Sequence, residues 1–541
     1  MRKIVATSHG GTAVACGFSK VSRRDVLFGG VAASALPLLG VAGCGAPSPV
    51  PPQGSAAANG NRLFSLGVAS GEPGPDSVIL WTRLAPEPLH GGGMGPAPVP
   101  VRWEVAEDEA MRHVVRRGTA LARPDLAHAV HVEVAGLAPR RWYWYRFDAG
   151  GEASVVGRTR TTPAPGEALD LFRFAAASCQ NYQHGYFTAY RHMAAEDLDL
   201  VVHLGDYIYE GGPRASFPRR HDDVEADTLA GYRNRYALYK LDPDLQAAHA
   251  AFPWCVVYDD HEVDNDYAND REVRQRVSPA AFLRRRAAAY RAYFEHLPFR
   301  SAQMPRGANM GLYRSMEIGG LIDLNLLDTR QYRTDQPCGE SGGKWHPQCA
   351  PARGPGATML GREQEAWLYG RLGAGRARWS VLAQQVPIME RRRMIHGDHR
   401  YNMDKWDGYS AARDRLFTAV RQHRVPGLVA LSGDVHSAWA GTLLTDFQDP
   451  RSAALGTEFV ATSISSGGDG RDMRPRARKM LAANPGIAFY NGQRGYARFT
   501  VTREAWRTDY RVVPHVSTPG APIRTRASFA AARGRPGPEP V

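Results

Sequence analysis

The chain is poor in cysteine, with only six in 541 residues. So low a content excludes a small fold that depends on many disulfides. Cys16 and Cys44 lie in the N-terminal leader, and Cys255 is expected in the core of a strand. Cys338 and Cys349 flank a loop containing Gly and Pro, so they could form a local disulfide in an oxidising compartment.

Long apolar runs and nucleic-acid motifs are also missing. Beyond the leader, no uncharged apolar run reaches the roughly 20 residues that a membrane span needs, so the mature part is expected to be soluble or tethered. The net charge is +13, but we find no long basic tail and no basic motif interleaved with aromatics. No specific nucleic-acid partner is therefore expected. Short runs such as Arg391-Arg392-Arg393 indicate an arginine-rich solvated surface or, alternatively, an affinity for anionic substrates or cell-surface polymers.

Residues 1–60 are typical of a targeting segment. Ser22-Arg23-Arg24-Asp25-Val26-Leu27 resembles a twin-arginine export signal, although Val26 stands where that signal usually carries Phe. An apolar stretch over residues 27–43 follows, and Val41-Ala42-Gly43-Cys44 resembles a lipobox. We expect export by the twin-arginine translocation machinery to the periplasm or the exterior. A lipid on Cys44 would tether the protein to the membrane, and simple cleavage after a small residue is the alternative.

Strand patterns dominate residues 61–165. Residues 101–105 and 130–134 alternate apolar and polar side chains with period two, and residues 142–147 form an aromatic-rich strand. Turn clusters separate these strands, which predicts a β-sandwich. The Gly-Leu-x-Pro turn at residues 136–139 is similar to that of fibronectin type III modules. A packing module beside a catalytic domain is the simpler interpretation, and carbohydrate or surface binding is the alternative.

From residue 166 to residue 515, apolar strands alternate with helical segments, which indicates a layered α/β domain. Residues 516–541 are left as a C-terminal tail that is either disordered or partly covers the site. Open α/β sheets place their chemistry at the carboxyl ends of strands. Four predicted strands end in concentrated polar side chains: Ser178-Cys179-Gln180-Asn181, Gly205-Asp206-Tyr207-Ile208-Tyr209-Glu210, Asp259-Asp260-His261-Glu262 and Ser432-Gly433-Asp434-Val435-His436.

A metal site explains these four strand ends better than four separate coincidences. Burying Asp and His is costly unless a metal or a partner compensates. One such end by itself would be read as a helix cap or a satisfied core histidine. Four ends of the same composition therefore predict a metal centre.

The order and wording of these motifs resemble the PhoD-like alkaline phosphatase and phosphodiesterase family, a branch of the calcineurin-like metallophosphoesterases. The resemblance runs from about residue 64 to residue 512. It implies a fibronectin/immunoglobulin-like β-sandwich followed by a metallophosphoesterase α/β/β/α sandwich. Relative to the general superfamily pattern, Cys179 replaces the opening Asp and His ligands, Asp260 replaces an Asn, and Asp434 replaces a His.

The resemblance also implies two unlike metal positions. The first would be held by Cys179, Asp206, Tyr209 and His436. A thiolate and a phenolate among these donors favour one Fe3+ ion. The second would share Asp206 and add Asp260 and Asp434, whose hard oxygens favour one or two Ca2+ ions, with Mn2+ or Mg2+ as alternatives.

The implied reaction is hydrolysis of phosphate mono- and diesters by a metal-activated water. His261 would protonate the leaving group or stabilise charge in the transition state, and Asn181, Tyr207 or an arginine would bind phosphate oxygens. We expect a monomer acting on nucleotides, phospholipid head groups or wall polymers. The alternatives are a phospholipase D-like or cell-wall-polymer phosphodiesterase, and a surface binding protein built on a degenerate hydrolase fold.

Overall fold

The computed structural model describes residues 63–221, 224–338, 344–375 and 377–541. The predicted twin-arginine signal and the lipid-attachment residue Cys44 lie outside these residues. Within the described ranges, no helix is both long enough and apolar enough to cross a membrane.

The N-terminal part consists of eight short strands. They are β1 (Val68–Gly71), β2 (Ser77–Arg83), β3 (Val99–Ala106), β4 (Val114–Ala122), β5 (Ala129–Ala135), β6 (Trp142–Ala149), β7 (Glu152–Ala153) and β8 (Gly157–Arg160). Strands β3, β4, β6, β7 and β8 form one antiparallel sheet. The inward side chains of this sheet, such as Val101 and Phe147, pack with Leu80 of β2 and Val132 of β5. This packing gives the β-sandwich that the alternating pattern predicts.

The first half of the larger domain alternates parallel strands with helices. Its elements are β9 (Leu171–Ala177), α1 (Thr188–Ala194), β10 (Leu200–His203), α2 (Leu229–Lys240), α3 (Pro243–Ala251), β11 (Pro253–Val256), α4 (Pro279–His296), β12 (Arg314–Ile318) and β13 (Ile322–Leu326). Proline at the first turn of α3 and of α4 suits a helix start because the missing N–H would have no helical partner there. The Asp242 and Ser278 side chains cap those two helices by accepting backbone N–H bonds.

The second half contains more antiparallel structure. Its elements are β14 (Trp345–His346), α5 (Ala350–Arg353), α6 (Gly361–Ala374), β15 (Trp379–Ala383), β16 (Arg393–Ile395), β17 (Asp398–Asn402), α7 (Ser410–Gln422), β18 (Leu428–Ser432), β19 (Ala438–Leu444), β20 (Ala454–Val460), β21 (Gly470–Arg471), α8 (Pro475–Ala483), β22 (Ile487–Thr502), β23 (Ala505–Val513), β24 (Arg524–Ala532) and β25 (Arg535–Pro540).

Two large sheets face each other. One has the order β5-β2-β1-β11-β10-β9-β22-β23-β24-β25, and the other has β12-β13-β15-β18-β20-β19. The long strand β22 joins them by pairing with β19 near its start and with β9 further on. Aromatic contacts fill the space between the sheets, including Trp379 on Trp506 at 5.9 Å and Phe459 on Phe499 at 6.4 Å.

Helices cover the outer faces of both sheets. On the first sheet, Tyr190 of α1 lies 5.6 Å from Trp254 of β11, and on the second, Leu368 of α6 and Leu416 of α7 share a core with Leu382 of β15. The layers therefore run helix, sheet, sheet, helix, and the predicted α/β fold class with an N-terminal β-sandwich is confirmed. Strands β9, β10 and β11 are parallel neighbours, so their carboxyl ends meet at one edge.

The N-terminal sandwich and the larger domain share a sheet. Strand β1 pairs in parallel with β11, with Ser70 opposite Pro253 and Gly71 opposite Trp254. A Cβ on Gly71 would lie 2.5 Å from the carbonyl oxygen of Trp254, so only glycine allows this close approach. One sheet of the sandwich therefore continues into the sheet that carries the first three motifs.

The C-terminal residues form strands, contrary to the expectation that the tail is disordered. Strands β24 and β25 form a hairpin that extends the first sheet through β23. Phe529 of β24 packs 5.1 Å from Phe489, and the Gly537 N–H donates to Thr457 Oγ1 in β20. The expectation was wrong because alternating small apolar side chains give a short strand enough buried surface, despite the surrounding Pro, Gly and Arg.

Candidate metal centre and catalytic site

The site loops follow directly after strands β9, β10 and β18. Cys179, Asp206, Asp434 and His436 all have positive φ, at 58°, 58°, 62° and 51°. Residues other than glycine seldom adopt this left-handed backbone conformation, and the strain costs about 1–3 kcal/mol for each residue that does. Backbone strain of this kind clusters at functional sites. Here the residues with positive φ lie where the chain turns sharply after each strand.

Four of the predicted ligands come together at one point. Cys179 Sγ, an Asp206 carboxylate oxygen and a His436 ring nitrogen all lie within 4.8 Å of one another. Tyr209 Oη is 2.7 Å from Asp206 Oδ2 and 3.1 Å from His436 Nε2. The structure thus gathers a thiol, a carboxyl, a phenol and an imidazole from three different loops.

The electrostatics of this cluster suit a bound cation. Burial, and then the neighbouring Asp206 carboxylate, raise the pKa of both Cys179 and Tyr209 well above their usual values. Burial and the charges of nearby carboxylates likewise raise the pKa of Asp206. Asp206 Oδ1 is buried and has no hydrogen-bond partner. A metal of high charge would stabilise all three anions and give this oxygen a partner, so the donor set fits a metal.

Two further residues hold the first cluster in place. Ser466 Oγ lies 2.7 Å from Tyr209 Oη and 2.7 Å from the carbonyl oxygen of Cys179. Arg494 Nη1 donates to the carbonyl oxygen of His436 at 2.8 Å. Sequence reasoning missed both residues, because Ser466 follows β20 and Arg494 lies inside β22, far along the chain from the motifs.

A second group of carboxylates lies next to the first. Asp260 is clustered with Asp206 and His261, and separately with Asp259 and Asp434. Among the described residues, Asp206 and Asp434 do not fall in one such cluster. Of the three predicted ligands of the second metal, only Asp260 therefore belongs to a cluster with each of the other two. Asp259 is an additional candidate ligand, to which the sequence analysis gave no role.

Two buried cations contact this second group. The Arg330 guanidinium forms an ion pair with Asp259 and lies 3.6 Å from Asp260 Oδ2 and 3.5 Å from Asp434 Oδ1. Lys405 Nζ pairs with Asp434 and lies 2.7 Å from Asp404 Oδ2. These two cations offset part of the carboxylate charge at this position. A hard metal there would share its carboxylates with Arg330 and Lys405.

His261 lies beside both groups with one ring nitrogen fixed. Its Nδ1 is 2.7 Å from Glu210 Oε2, and its ring centroid lies 4.0 Å from that of Tyr209, with the two planes tilted by 32°. Burial disfavours the charged imidazole, but Glu210, Asp206 and Asp260 outweigh it and raise the pKa of His261 well above its usual value. Glu210 thus keeps a proton on Nδ1 and leaves Nε2 to face the site.

Asn181 is the other predicted catalytic residue. Its Oδ1 accepts the backbone N–H of Gln183 at 3.0 Å, while its Nδ2 makes no hydrogen bond to any described residue. Its amide is therefore available to donate to an anion. The alternative prediction that Tyr207 binds a phosphate oxygen was wrong, because the buried Tyr207 hydroxyl lies 2.7 Å from His249 Nε2 in the core.

A buried carboxylate ties two of the site loops together. Glu262 accepts the backbone N–H groups of Asp206 at 3.1 Å, Tyr207 at 2.5 Å and Asp259 at 2.8 Å. Burial raises the pKa of Glu262 to about 8, although the three N–H groups oppose that shift. The sequence Asp-Asp-His-Glu contains this residue, but its role became visible only with the loops in place.

Comparison with known proteins identifies the family of the chain. A family model described as PhoD-like phosphatase matches residues 174–510, and the model of the PhoD-like phosphatase N-terminal domain matches residues 49–163. Alkaline phosphatase D of Bacillus subtilis (strain 168) is 52% identical over 471 residues, which cover 86% of this chain and 80% of that protein. A solved structure of PhoD is 51% identical with a TM-score of 0.86, over 90% of this chain and 93% of the other.

Proposed function

Because the chain belongs to the PhoD-like phosphatase family, we propose that it hydrolyses phosphate mono- and diesters at the cluster that Cys179, Asp206, Tyr209 and His436 form. The observation that carries this proposal is the convergence of the four donors within a buried site. A complete donor set of this kind gives no support to a surface binding protein on a degenerate hydrolase fold.

The chemistry of the donors argues for Fe3+ at the first position. A buried phenol and a buried thiol ionise only beside a strong Lewis acid, because burial and the Asp206 carboxylate raise the pKa of each. At the second position, Asp260, Asp434 and the shared Asp206 offer hard oxygens that suit Ca2+, with Mn2+ or Mg2+ as alternatives. When bound, the metals would supply Lewis acidity that activates water and offsets charge on the phosphate.

The chain's own residues then orient the ester and move the proton. The Nδ2 group of Asn181 donates to a phosphate oxygen, and the Arg330 guanidinium and Lys405 ammonium add positive charge beside it. His261, held by Glu210 through Nδ1, gives the Nε2 proton to the departing oxygen. Arg330 would be the arginine that the sequence analysis expected near the phosphate oxygens, and Lys405 adds to its positive charge.

Tyrosine coordination is the part of this proposal that can be tested most directly. Purified wild-type protein is expected to contain iron and to show a visible tyrosinate-to-iron absorption band. Tyr209→Phe removes that band, whereas Tyr313→Phe, a half-buried tyrosine outside the site, keeps it. Asp206→Ala is expected to abolish hydrolysis and metal binding. An active, colourless protein without iron would refute the iron assignment, and an Asp206→Ala variant with most of its activity would refute the site.

We also propose that the protein is exported as a monomer, by the twin-arginine machinery and with a lipid on Cys44. The disulfide between Cys338 and Cys349, which the structure contains, supports an oxidising compartment. Mass spectrometry of the mature N-terminus and cell fractionation test this proposal. Cys44→Ala should release the protein from the membrane fraction, and a mature chain beginning at any other residue would rule out the lipid.

A further inference from the structure

An arginine-walled pocket opens beside the metal centre. It has a volume of about 680 Å³, and five arginines line it together with no carboxylate: Arg391, Arg393, Arg471, Arg474 and Arg476. Trp439 and Tyr490, packed against each other at 4.6 Å, and Met480 complete the wall. We call this cavity the arginine pocket.

None of these five guanidinium groups forms an ion pair with a carboxylate in the part of the chain that the structure describes. Arg391 stands out because it is only 6% exposed, lies over the Trp439 ring at 4.5 Å, and has a buried Nε without any hydrogen-bond partner. Leaving a buried donor unpaired costs about 1–3 kcal/mol. An anion in the pocket would supply the missing acceptor and offset the repulsion among the arginines.

Helix α8 adds to the positive potential. The helix begins at Pro475, which has no N–H, and no side chain caps it, although the Ala477 N–H donates to the carbonyl oxygen of Arg474 at 2.9 Å. Its first residues Pro475, Arg476 and Ala477 line the pocket. The positive end of a helix stabilises a nearby anion. Backbone and side chains thus point to the same kind of ligand.

Two walls of the pocket are loops of the metal centre itself. Val435, which lines the pocket, lies between Asp434 and His436 in the chain. Gly467, also in the wall, follows Ser466, whose Oγ lies 2.7 Å from Tyr209 Oη. The arginine pocket therefore shares two of its wall loops with the metal centre.

We propose that the arginine pocket binds a second anionic group of the substrate, so that the enzyme prefers phosphate esters that carry a further phosphate. This inference rests on the proposed function and names the substrate class of the same site. The second phosphate accepts hydrogen bonds from Arg391, Arg474 and Arg476 and remains intact, while the first is hydrolysed.

The test compares substrates that differ only in the distant anion. Wild-type enzyme is assayed with alkanediol bisphosphates of three to six carbons, with the matching alkyl monophosphates, and with phosphorylated hydroxy acids that carry a distant carboxylate. We expect kcat/KM for the best bisphosphate to exceed that for its monophosphate at least tenfold, with an optimum chain length. The carboxylate series shows whether the pocket requires phosphate or accepts any anion. High salt should reduce the preference.

Variants separate the pocket from the metal centre. Arg474→Gln with Arg476→Gln should lower kcat/KM for the bisphosphate at least tenfold, mainly through KM, and for the monophosphate much less, with metal content as in wild type. The matched control Arg478→Gln lies on the same helix outside the pocket and should change neither value. Arg391→Lys, which keeps the charge, provides a second variant in case larger changes at that buried position impair folding.

Two outcomes would contradict the inference, and they differ in what they say about the proposed function. Equal kcat/KM for bisphosphates and monophosphates in wild type, with no effect of the arginine variants, would overturn the inference while leaving the proposed function standing. Absence of hydrolysis of any of these esters by metal-loaded wild type would instead overturn the proposed function, and the inference with it.

Discussion

His261 has two possible roles, and its contacts favour one of them. Glu210 holds Nδ1, and the positive imidazole lies beside Asp206 and Asp260, so Nε2 carries a proton into the site. A proton donor matters most when the leaving group is a strong base, whereas stabilisation of charge on the phosphate matters equally for all leaving groups.

We therefore predict that His261→Gln lowers kcat far more for an alkyl phosphate than for 4-nitrophenyl phosphate. The expected loss is at least about 10²-fold for the alkyl ester, in line with general acid catalysis. Steady-state kinetics on both substrates measure it, with the exposed His399→Gln as the control. Equal losses on both esters would show that His261 stabilises charge instead of donating a proton.

For single residues, the sequence identifies the predicted metal ligands but not the cationic side chains that contact them. Cys179, Asp206 and His436 could be named because each follows an apolar strand, where an uncompensated polar group is expensive to bury. Arg330 and Lys405 could not, since an arginine or a lysine in a loop looks the same whether it faces water or a carboxylate. Only the tertiary fold shows that both reach Asp434.

Among the structural elements, the loop after β11 depends on one side chain. Glu262 accepts three backbone N–H bonds and so connects that loop to the one after β10. Glutamine at this position would turn an N–H group toward these donors. A buried donor left unsatisfied costs about 1–3 kcal/mol.

We predict that at pH 9, where Glu262 is ionised, Glu262→Gln lowers the free energy of unfolding by about 1–3 kcal/mol and also reduces kcat, because Asp206 moves with its loop. Urea denaturation and steady-state assays at the same metal concentration measure the two effects. Glu504→Gln, at an exposed position, should leave both unchanged. Wild-type stability and kcat in Glu262→Gln would show that the loops hold their positions without this tether.

In the larger domain, the sequence predicted the buried strands up to β18 but not the mostly antiparallel strands that follow it. Strands β9, β10 and β18 are short apolar runs, which periodicity detects. Strand β24, by contrast, buries only small residues and Phe529 among arginines, and its partner β25 contains three prolines. Such a hairpin is stabilised by its pairing with the edge strand β23. That pairing depends on the tertiary fold and cannot be read from the segment's own sequence.

For the whole molecule, the family resemblance gave the layered architecture, and the structure added how the two domains join. Strand β1 extends the catalytic sheet, and His131 of β5 connects to the end of α4 by placing Nε2 3.0 Å from the carbonyl oxygens of both Phe294 and Leu297. The sandwich therefore supports the sheet that carries the site loops. Patterns within single strands do not show pairing between domains.

Several histidines in this joined core are buried without a proton. Burial lowers the pKa of His131 to about 4 and that of His203 to about 3, and it lowers the pKa of His249 and His296 well below the usual value. An unfolded histidine has a pKa near 6.5. Between pH 6.5 and pH 4 these four histidines thus bind more protons in the unfolded chain than in the folded one, so their contribution to the free energy of unfolding falls as the pH falls.

We predict that acidification from pH 7 to pH 5 removes about 2 kcal/mol of stability through His131, since one pKa unit is worth about 1.4 kcal/mol. His131→Gln can still donate to one of the two carbonyl oxygens but does not titrate, so it should lose about 2 kcal/mol less than wild type over this range. Urea denaturation at both pH values measures the difference, with the exposed His90→Gln as the control. Identical losses in wild type and His131→Gln would mean that His131 is protonated within the folded core.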